Sequence, residues 1–336
     1  QREVSYANKD KARSVRLAVP VEEGKKGNNF MTRDTLVGLA AAVTANVIFG
    51  LNVPVSKAIL DNWMTPIGYT TLRMFFGTVV FWTFATLWRR EKVGGNDLVL
   101  IIIGGLMGYL GTQCSFAKSL EYTSPINFAL LISLTPVATL LISALFLHEA
   151  VTLRKLLGIV LSISGAFVVI LEGKNNSVGT NNLLGIALAL LCVLFYASYM
   201  VLTRKIVIRY SPITVAKWMF LVSAISLLPL VPYEFPRQHI LFVKTTISAL
   251  VLLGFALIFS TIIALFCVPL ALKKLEPGMV SIFMNLQPLV ASVVAIAIGQ
   301  DHFSVQKLAA GILVLSGVYL VTSKKKPAST GKKCSS

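Results

Sequence analysis

Two basic residues sit where charge is expensive. Arg73 lies among Leu72, Met74, Phe75 and Phe76, and Lys217 among Val215, Ala216, Trp218 and Met219. A cation in such surroundings reaches water, finds a partner, or meets an anion that passes by. A guanidinium recognises a carboxylate or a phosphate through paired hydrogen bonds. Arg73 follows Pro66 by seven residues and Lys217 follows Pro212 by five. On a helix that is a depth of about 7–10 Å, from which a long basic side chain also snorkels to the interface. Two readings stand side by side: these residues are tied to the interface or to a structural partner, or they face a cavity and bind an anionic substrate.

The acidic residues are placed differently. All 14, from Glu3 to Asp301, fall in polar tails, loops or the ends of apolar stretches. Proton relays in membranes commonly rest on an intramembrane Asp, Glu or His, so this pattern speaks against proton-driven export of cations. Neutral polar residues supply the rest of the candidate cavity lining: Asn46, Asn52, Gln113, Asn127, Tyr196, Tyr199, Asn285 and Gln287. Buried amides and hydroxyls either bond across helices or line a wet path, and both readings stay open for each. Pro54, Pro136 and Pro288 lie in apolar runs, where a proline frees a backbone carbonyl. Each is either a packed kink or a ligand and gating point. Gly104, Gly108 and Gly111 have the spacing of close helix packing rather than of a phosphate loop.

Other chemistry is excluded by inventory. The apolar stretches hold no Ser/His dyad, no paired carboxylates and no HExxH motif, so no catalytic residue is assigned and an intramembrane enzyme is not expected. Cys114, Cys192 and Cys267 lie in apolar stretches and Cys334 near the C-terminus, with no CxxC or Cys/His cluster. Neither a metal site nor a cofactor is expected.

The elements that carry these residues follow from composition. Of 336 residues, 55% are hydrophobic and 13% charged, against roughly 25% charged in a soluble chain. The apolar residues gather in ten stretches: 35–60, 66–88, 98–117, 124–147, 154–171, 182–203, 212–232, 247–271, 278–298 and 306–322. Each has about the length needed to cross a bilayer. Backbone groups find no water there, so each stretch is a helix, and the alternation of a barrel is absent. The expected fold class is an all-α polytopic membrane protein with ten transmembrane helices.

Residues 1–33 are polar and basic without an apolar core, which predicts a solvated tail rather than a signal peptide. With the N-terminus placed in the cytoplasm, 23 of the 31 basic residues fall on the cytoplasmic side, six on the other side and two inside spans. The positive-inside rule then puts both termini in the cytoplasm. The net charge of +17 is thus mainly a topology signal. No folded soluble domain presents it, so nucleic acid is not an expected partner. The run Lys324–Lys326 is expected near anionic lipid.

The two halves match. Pro136, Glu149, Lys155 and Ser164-Gly165 correspond to Pro288, Asp301, Lys307 and Ser316-Gly317, all at a constant offset of 152. Phe49 and Phe195 correspond at an offset of 146, as do Pro66 and Pro212. A unit of five helices is odd, so the second copy enters the membrane from the opposite side. That is an inverted repeat, in which a midplane site is served by rocking one half on the other. The expected organisation is a tail over 1–33, a first repeat over 34–171, a second over 182–322 and a basic tail over 323–336.

On these residues the chain resembles the EamA-type transporters of the drug/metabolite transporter superfamily, with two EamA domains. Ile48-Phe49-Gly50-Leu51-Asn52 and Leu72-Arg73 also look like that family; Asp301, where a Glu is usual, departs from it. The resemblance covers about residues 35–322. It implies ten helices in two inverted five-helix repeats and movement of small metabolites, and it leaves the substrate open. The small multidrug-resistance relatives carry a Glu in the first helix, where this chain offers Asn46 and Asn52. The expected function is a secondary transporter that moves a small polar or anionic metabolite, an amino acid or similar, by alternating access. The alternatives are a sugar-phosphate or organic-phosphate exchanger of the same superfamily, and a non-transporting receptor or channel. The expected setting is a prokaryotic cytoplasmic membrane. The expected partners are a small-molecule substrate and the lipid bilayer, with the chain as monomer or homodimer.

Overall fold

The computed structural model describes residues 33–87, 91–147, 152–175, 182–242, 246–302 and 304–322. The tails and Glu149 lie outside them. Ten apolar helices are long enough to span a bilayer: α1 (Arg33–Asn62), α2 (Pro66–Leu87), α3 (Gly95–Tyr122), α4 (Pro125–Leu145), α5 (Leu153–Leu171), α6 (Asn182–Arg209), α7 (Pro212–Arg237), α8 (Ile247–Lys274), α9 (Pro277–Ala297) and α10 (Val305–Thr322). Two faces result. The near face carries the starts of α1, α3, α5, α7 and α9 and the ends of α2, α4, α6, α8 and α10. The far face carries the opposite helix ends.

Several helices start on the same local device. Ser124 and Ser211 each precede a proline, and their hydroxyls accept from the backbone N–H of Asn127 at 3.3 Å and Thr214 at 3.2 Å. Thr65 does the same before Pro66, accepting from Gly68 N–H at 3.1 Å. The hydroxyl satisfies an orphan amide, and proline occupies a first-turn position whose N–H is dispensable.

The helices run past the predicted apolar stretches where polar ends find partners. α3 continues to Tyr122, with Lys118 paired to Glu121 at 2.8 Å. α7 departs further from its predicted 212–232. It is regular only to Leu227 and then proceeds in single turns to Arg237. Pro229, Pro232 and Pro236 recur there, each removing a donor from the helical ladder.

The repeat is visible in the irregularities as well as in the helix count. α3 loosens to a π-helix over Gly105–Gly111 and α8 over Ala256–Ala264. α4 breaks between Ile132 and Thr135, and α9 tightens to a 3-10 turn over Phe283–Asn285. Both sets correspond at about the offset of the sequence repeat. Pro136 and Pro288 explain the second set, since each clashes with the carbonyl four residues back. In α4 the freed carbonyls are met locally: Ser133 Oγ donates to Leu130 O and Thr135 Oγ1 to Ile132 O, both at 2.6 Å.

Packing follows the same symmetry. α1 of the first half lies against α8 and α9 of the second, while α6 of the second lies against α3 and α4 of the first; α2–α7, α4–α9 and α5–α10 pair across the axis. The glycine stripe of α3 is a packing surface, as its spacing predicts: a Cβ at Gly108 would fall 2.4 Å from the Tyr199 ring. α5 and α10 also approach closely: a Cβ at Gly317 would lie 2.5 Å from the Gly158 carbonyl oxygen. Leu145, Leu153, Ile247 and Val293 are each at least 70% exposed on the outside of the bundle. That inverted pattern suits a hydrocarbon solvent.

Candidate functional site

A small cavity lies where the two halves meet. Its walls are Phe49, Asn52 and Val53 of α1, Thr112, Gln113 and Phe116 of α3, Phe128 and Ile132 of α4, Cys192 and Tyr196 of α6, and Met284 and Gln287 of α9. Its volume is about 40 Å³, room for about three waters. Its walls carry no acidic or basic side chain.

The charge lies one layer behind. Arg73 is fully buried, so it does not snorkel. Its Nη1 donates to Gln113 Oε1 at 2.7 Å, its Nε to Thr261 Oγ1 at 2.8 Å and its Nη2 to Ser260 Oγ at 2.9 Å. The guanidinium carbon also stands 5.3 Å from the centre of the Tyr69 ring. No carboxylate pairs with it among the described residues. Ser260 and Thr261 sit in the π-segment of α8, whose widened turn carries both hydroxyls to α2. A charge taken out of water with only neutral partners retains a strong field in a low-dielectric interior.

Hydrogen-bond logic fixes the two amides of the wall. Arginine only donates, so the Gln113 atom it meets is oxygen, and the NH2 is what Gln113 has left to offer. Asn46 Nδ2 donates to Ala42 O at 2.8 Å, so its Oδ1 is the acceptor that Gln287 Nε2 meets at 2.7 Å. Gln287 is then left with its carbonyl. Asn52 Oδ1 is buried without a partner among the described residues. The cavity thus offers a donor on α3, backed by the Arg73 charge, and acceptors on α9 and α1. Aromatic and apolar groups make up most of the remaining wall.

Of the residues singled out in the sequence, Asn52, Gln113, Tyr196 and Gln287 form the wall, and Arg73 and Asn46 stand directly behind it. Tyr199 is buried below Tyr196, with ring centres 5.9 Å apart, and also meets Tyr109. Asn127 and Asn285 are outside the wall, each with an Oδ1 lacking a partner among the described residues. Lys217 is elsewhere. Its Nζ lies over the rings of Trp82 and Trp218, 5.4 and 5.8 Å from their centres, on the outer side of the α2–α7 pair. Pro54 gives its carbonyl to Gln300 Nε2 at 3.0 Å, Pro288 is buried beside Gln287, and Pro136 lines a different cavity. Sequence reasoning missed Ser260 and Thr261, though two hydroxyls together in the apolar run of α8 were a usable signal. It also missed the apolar wall, whose residue types occur in every span.

The two faces differ. A second cavity of about 660 Å³ lies at the near face, between α4, α5, α6, α9 and α10. Pro277, Gly278, Met279, Ser281 and Ile282 line it, and in the segment Pro277–Ile282 only Val280 and Ser281 are buried. The repeat counterpart, Pro125–Leu130, is buried throughout. At that far end Gln300 bonds to α1, and Lys307 Nζ meets Asp301 Oδ1 at 2.5 Å. Thr65 Oγ1 donates to Glu234 Oε2 at 2.5 Å, and Gln238 Nε2 to Thr65 Oγ1 at 2.8 Å.

Ten apolar helices among the described residues, an inverted duplication and a mainly apolar cavity with a few placed polar groups between the halves define a multi-pass membrane transporter. Residues 36–171 and 183–323 each match the EamA-like transporter family. The chain belongs to that family, within the drug/metabolite transporter superfamily. The uncharacterized transporter YyaM of Bacillus subtilis (strain 168) is 26% identical over 231 residues, covering 68% of this chain and 74% of its own. An uncharacterized transporter of Archaeoglobus fulgidus is 26% identical over 264 residues, covering 79% of this chain and 91% of its own. A probable terminal-alkyne amino-acid exporter of Streptantibioticus cattleyicolor is 27% identical over 144 residues, 43% of this chain and 46% of its own. One solved crystal structure superposes with a TM-score of 0.60 at 19% identity, covering 86% of this chain and 97% of that one. It is a likeness of fold.

Proposed function

We propose that this protein is a secondary transporter of a small zwitterionic or anionic metabolite, an amino acid or a close analogue, working by alternating access. The observation that carries the reading is Arg73: a buried cation without a carboxylate partner, bonded to the Gln113 amide that lines the cavity. A substrate carboxylate at the Gln113 NH2 would meet that field, and a substrate ammonium group would suit the free oxygens of Gln287 and Asn52. The aromatic wall suits an ammonium or an apolar side chain. The family supports transport, and the Streptantibioticus relative is named for an amino-acid substrate. A phosphate exchanger would need several cations at the cavity, whereas Arg73 is the one that touches its wall among the described residues.

The unequal faces support alternating access. Repeat-related segments, open at the near face and closed at the far face, suit a cycle in which the two halves exchange states. The central cavity admits a metabolite only after its walls part. The excess of basic residues supports a cytoplasmic near face and cytoplasmic termini. Protein reconstituted in liposomes should show saturable amino-acid uptake accelerated by unlabelled substrate inside the vesicle. Linear, non-saturable flux without counterflow overturns the reading in favour of a channel.

A further inference from the structure

The near-face cavity has a chemistry that the transport reading does not use. Its walls carry three cations, Arg154, Lys155 and Arg204, against one carboxylate, Glu276. Arg204 reaches it from the near end of α6. Its Nη1 is buried and has no hydrogen-bond partner among the described residues. Glu276, in the same wall, attracts Arg204 electrostatically without forming an ion pair with it among the described residues, and a buried guanidinium nitrogen without a hydrogen-bond partner is costly. Thr139 Oγ1, in the same wall, is likewise buried without a partner among the described residues. Arg154 lies in the first turn of α5, only part-buried, with no hydrogen bond or ion pair among the described residues. Thr152 and Leu153, at the start of α5, line the same cavity, and a helix N-terminus favours an anion.

We propose that the near-face cavity binds a phosphate group, held between Arg204 and Arg154 at the N-terminus of α5. Two guanidinium groups from different helices, a hydroxyl and a helix N-terminus line this one cavity, a set that suits a tetrahedral anion with several acceptor oxygens better than a planar carboxylate. Lys155 is not needed for the site. Its repeat counterpart Lys307 pairs with Asp301, and the corresponding acid, Glu149, lies outside the described residues. The phosphate has two possible carriers. Leu153 lines the cavity and is 73% exposed, and the site lies at helix ends, the depth of phospholipid headgroups. A soluble phosphate ester presents the same group.

The test is thermal unfolding of the full-length protein in neutral detergent, with added phosphatidylglycerol, phosphatidylcholine or glycerol 3-phosphate at matched ionic strength. Phosphatidylglycerol, glycerol 3-phosphate or both should raise the midpoint by about 2–4 °C. The rise should fall by at least half in Arg204→Gln and in Arg154→Gln, and persist in Lys92→Gln, an exposed lysine on the same face. A rise with the lipid alone identifies the headgroup, and a rise with the ester identifies a soluble ligand. No rise with either compound overturns the site, as does a rise that either folded arginine variant retains or that Lys92→Gln also loses. Should Arg204→Gln fail to fold, Arg154→Gln decides, since that side chain supports no described contact.

Discussion

Replacing Arg73 with Met removes a charge and keeps a long apolar stem. In the proposed function its effect on transport is a field effect through one amide. Arg73 Nη1 lies 2.7 Å from Gln113 Oε1. Across the amide group and one further hydrogen bond, a substrate carboxylate would sit about 8 Å from the charge. Two opposite unit charges at that distance interact by about 2 kcal/mol at an effective dielectric of about 20, which is roughly a 30-fold change in binding. Counterflow in proteoliposomes should therefore show KM for the amino acid rising about 30-fold in Arg73→Met. An analogue whose carboxylate is replaced by an amide should lose that discrimination, because the missing charge then has nothing to attract. This double comparison separates the field from a general disturbance of folding. Arg73→Lys keeps the charge while surrendering part of the hydrogen-bond fork, and should fall between the two. A folded Arg73→Met that transports the acid with unchanged KM, or that loses acid and amide equally, refutes the reasoning.

Lys217→Gln should leave KM unchanged, because its Nζ meets Trp82 and Trp218 and not the cavity; the lost cation–π contacts should cost about 0.5–1 kcal/mol of stability, read as a small fall in unfolding midpoint. Gly317→Val should cost about 1–3 kcal/mol, because its Cβ would strike the α5 backbone and Ser162 Oγ; an unchanged midpoint would mean that the α5–α10 seam is looser than described. Partial burial pushes the Glu91 carboxyl up, but hydrogen bonds from Ser211 and Thr214 and the charge of Lys273 outweigh it and hold the group below the usual carboxylate range. A depressed carboxylate contributes stability at neutral pH that is lost as the pH falls through and below about 4, so Glu91→Gln should flatten the acid limb of a stability–pH curve.

The fold was legible because two strong constraints acted on the sequence. Hydrocarbon demands about twenty apolar residues in a helix, and duplication repeated Pro136, Lys155 and Ser164-Gly165 as Pro288, Lys307 and Ser316-Gly317. The site was legible only in part. Arg73 and Lys217 look alike in sequence, yet one is sealed inside and the other rests on tryptophan rings outside. Helices as uniformly apolar as α2 and α7 carry no periodicity that says which face meets a neighbour. The π-segments were hidden for a related reason: a widened turn needs no special residue, and Gly105–Gly111 reads equally well as a packing stripe. Ser260 and Thr261 acquire meaning only once that turn aims them at a guanidinium in another helix.

The asymmetry between the faces was not legible at all, and the reason bears on mechanism. The halves share the residues that make the fold, so the fold alone cannot prefer one state. The preference must rest on what they do not share. Gln300 bonds to Pro54 O at the far end, and Glu234, in the irregular end of α7, and Gln238, just past it, bond to Thr65. The stretch that ends α7 in successive prolines belongs to the second half only. Hydrogen bonds of this kind contribute about 0.5–1.5 kcal/mol each, so a handful biases the far face shut by a few kcal/mol. That is the scale at which a minor state stays populated. A substrate in the central cavity then needs only a modest difference in affinity between the two states to carry the chain across, and Arg73, bonded to α3 and α8 at once, stands where such a difference would be felt.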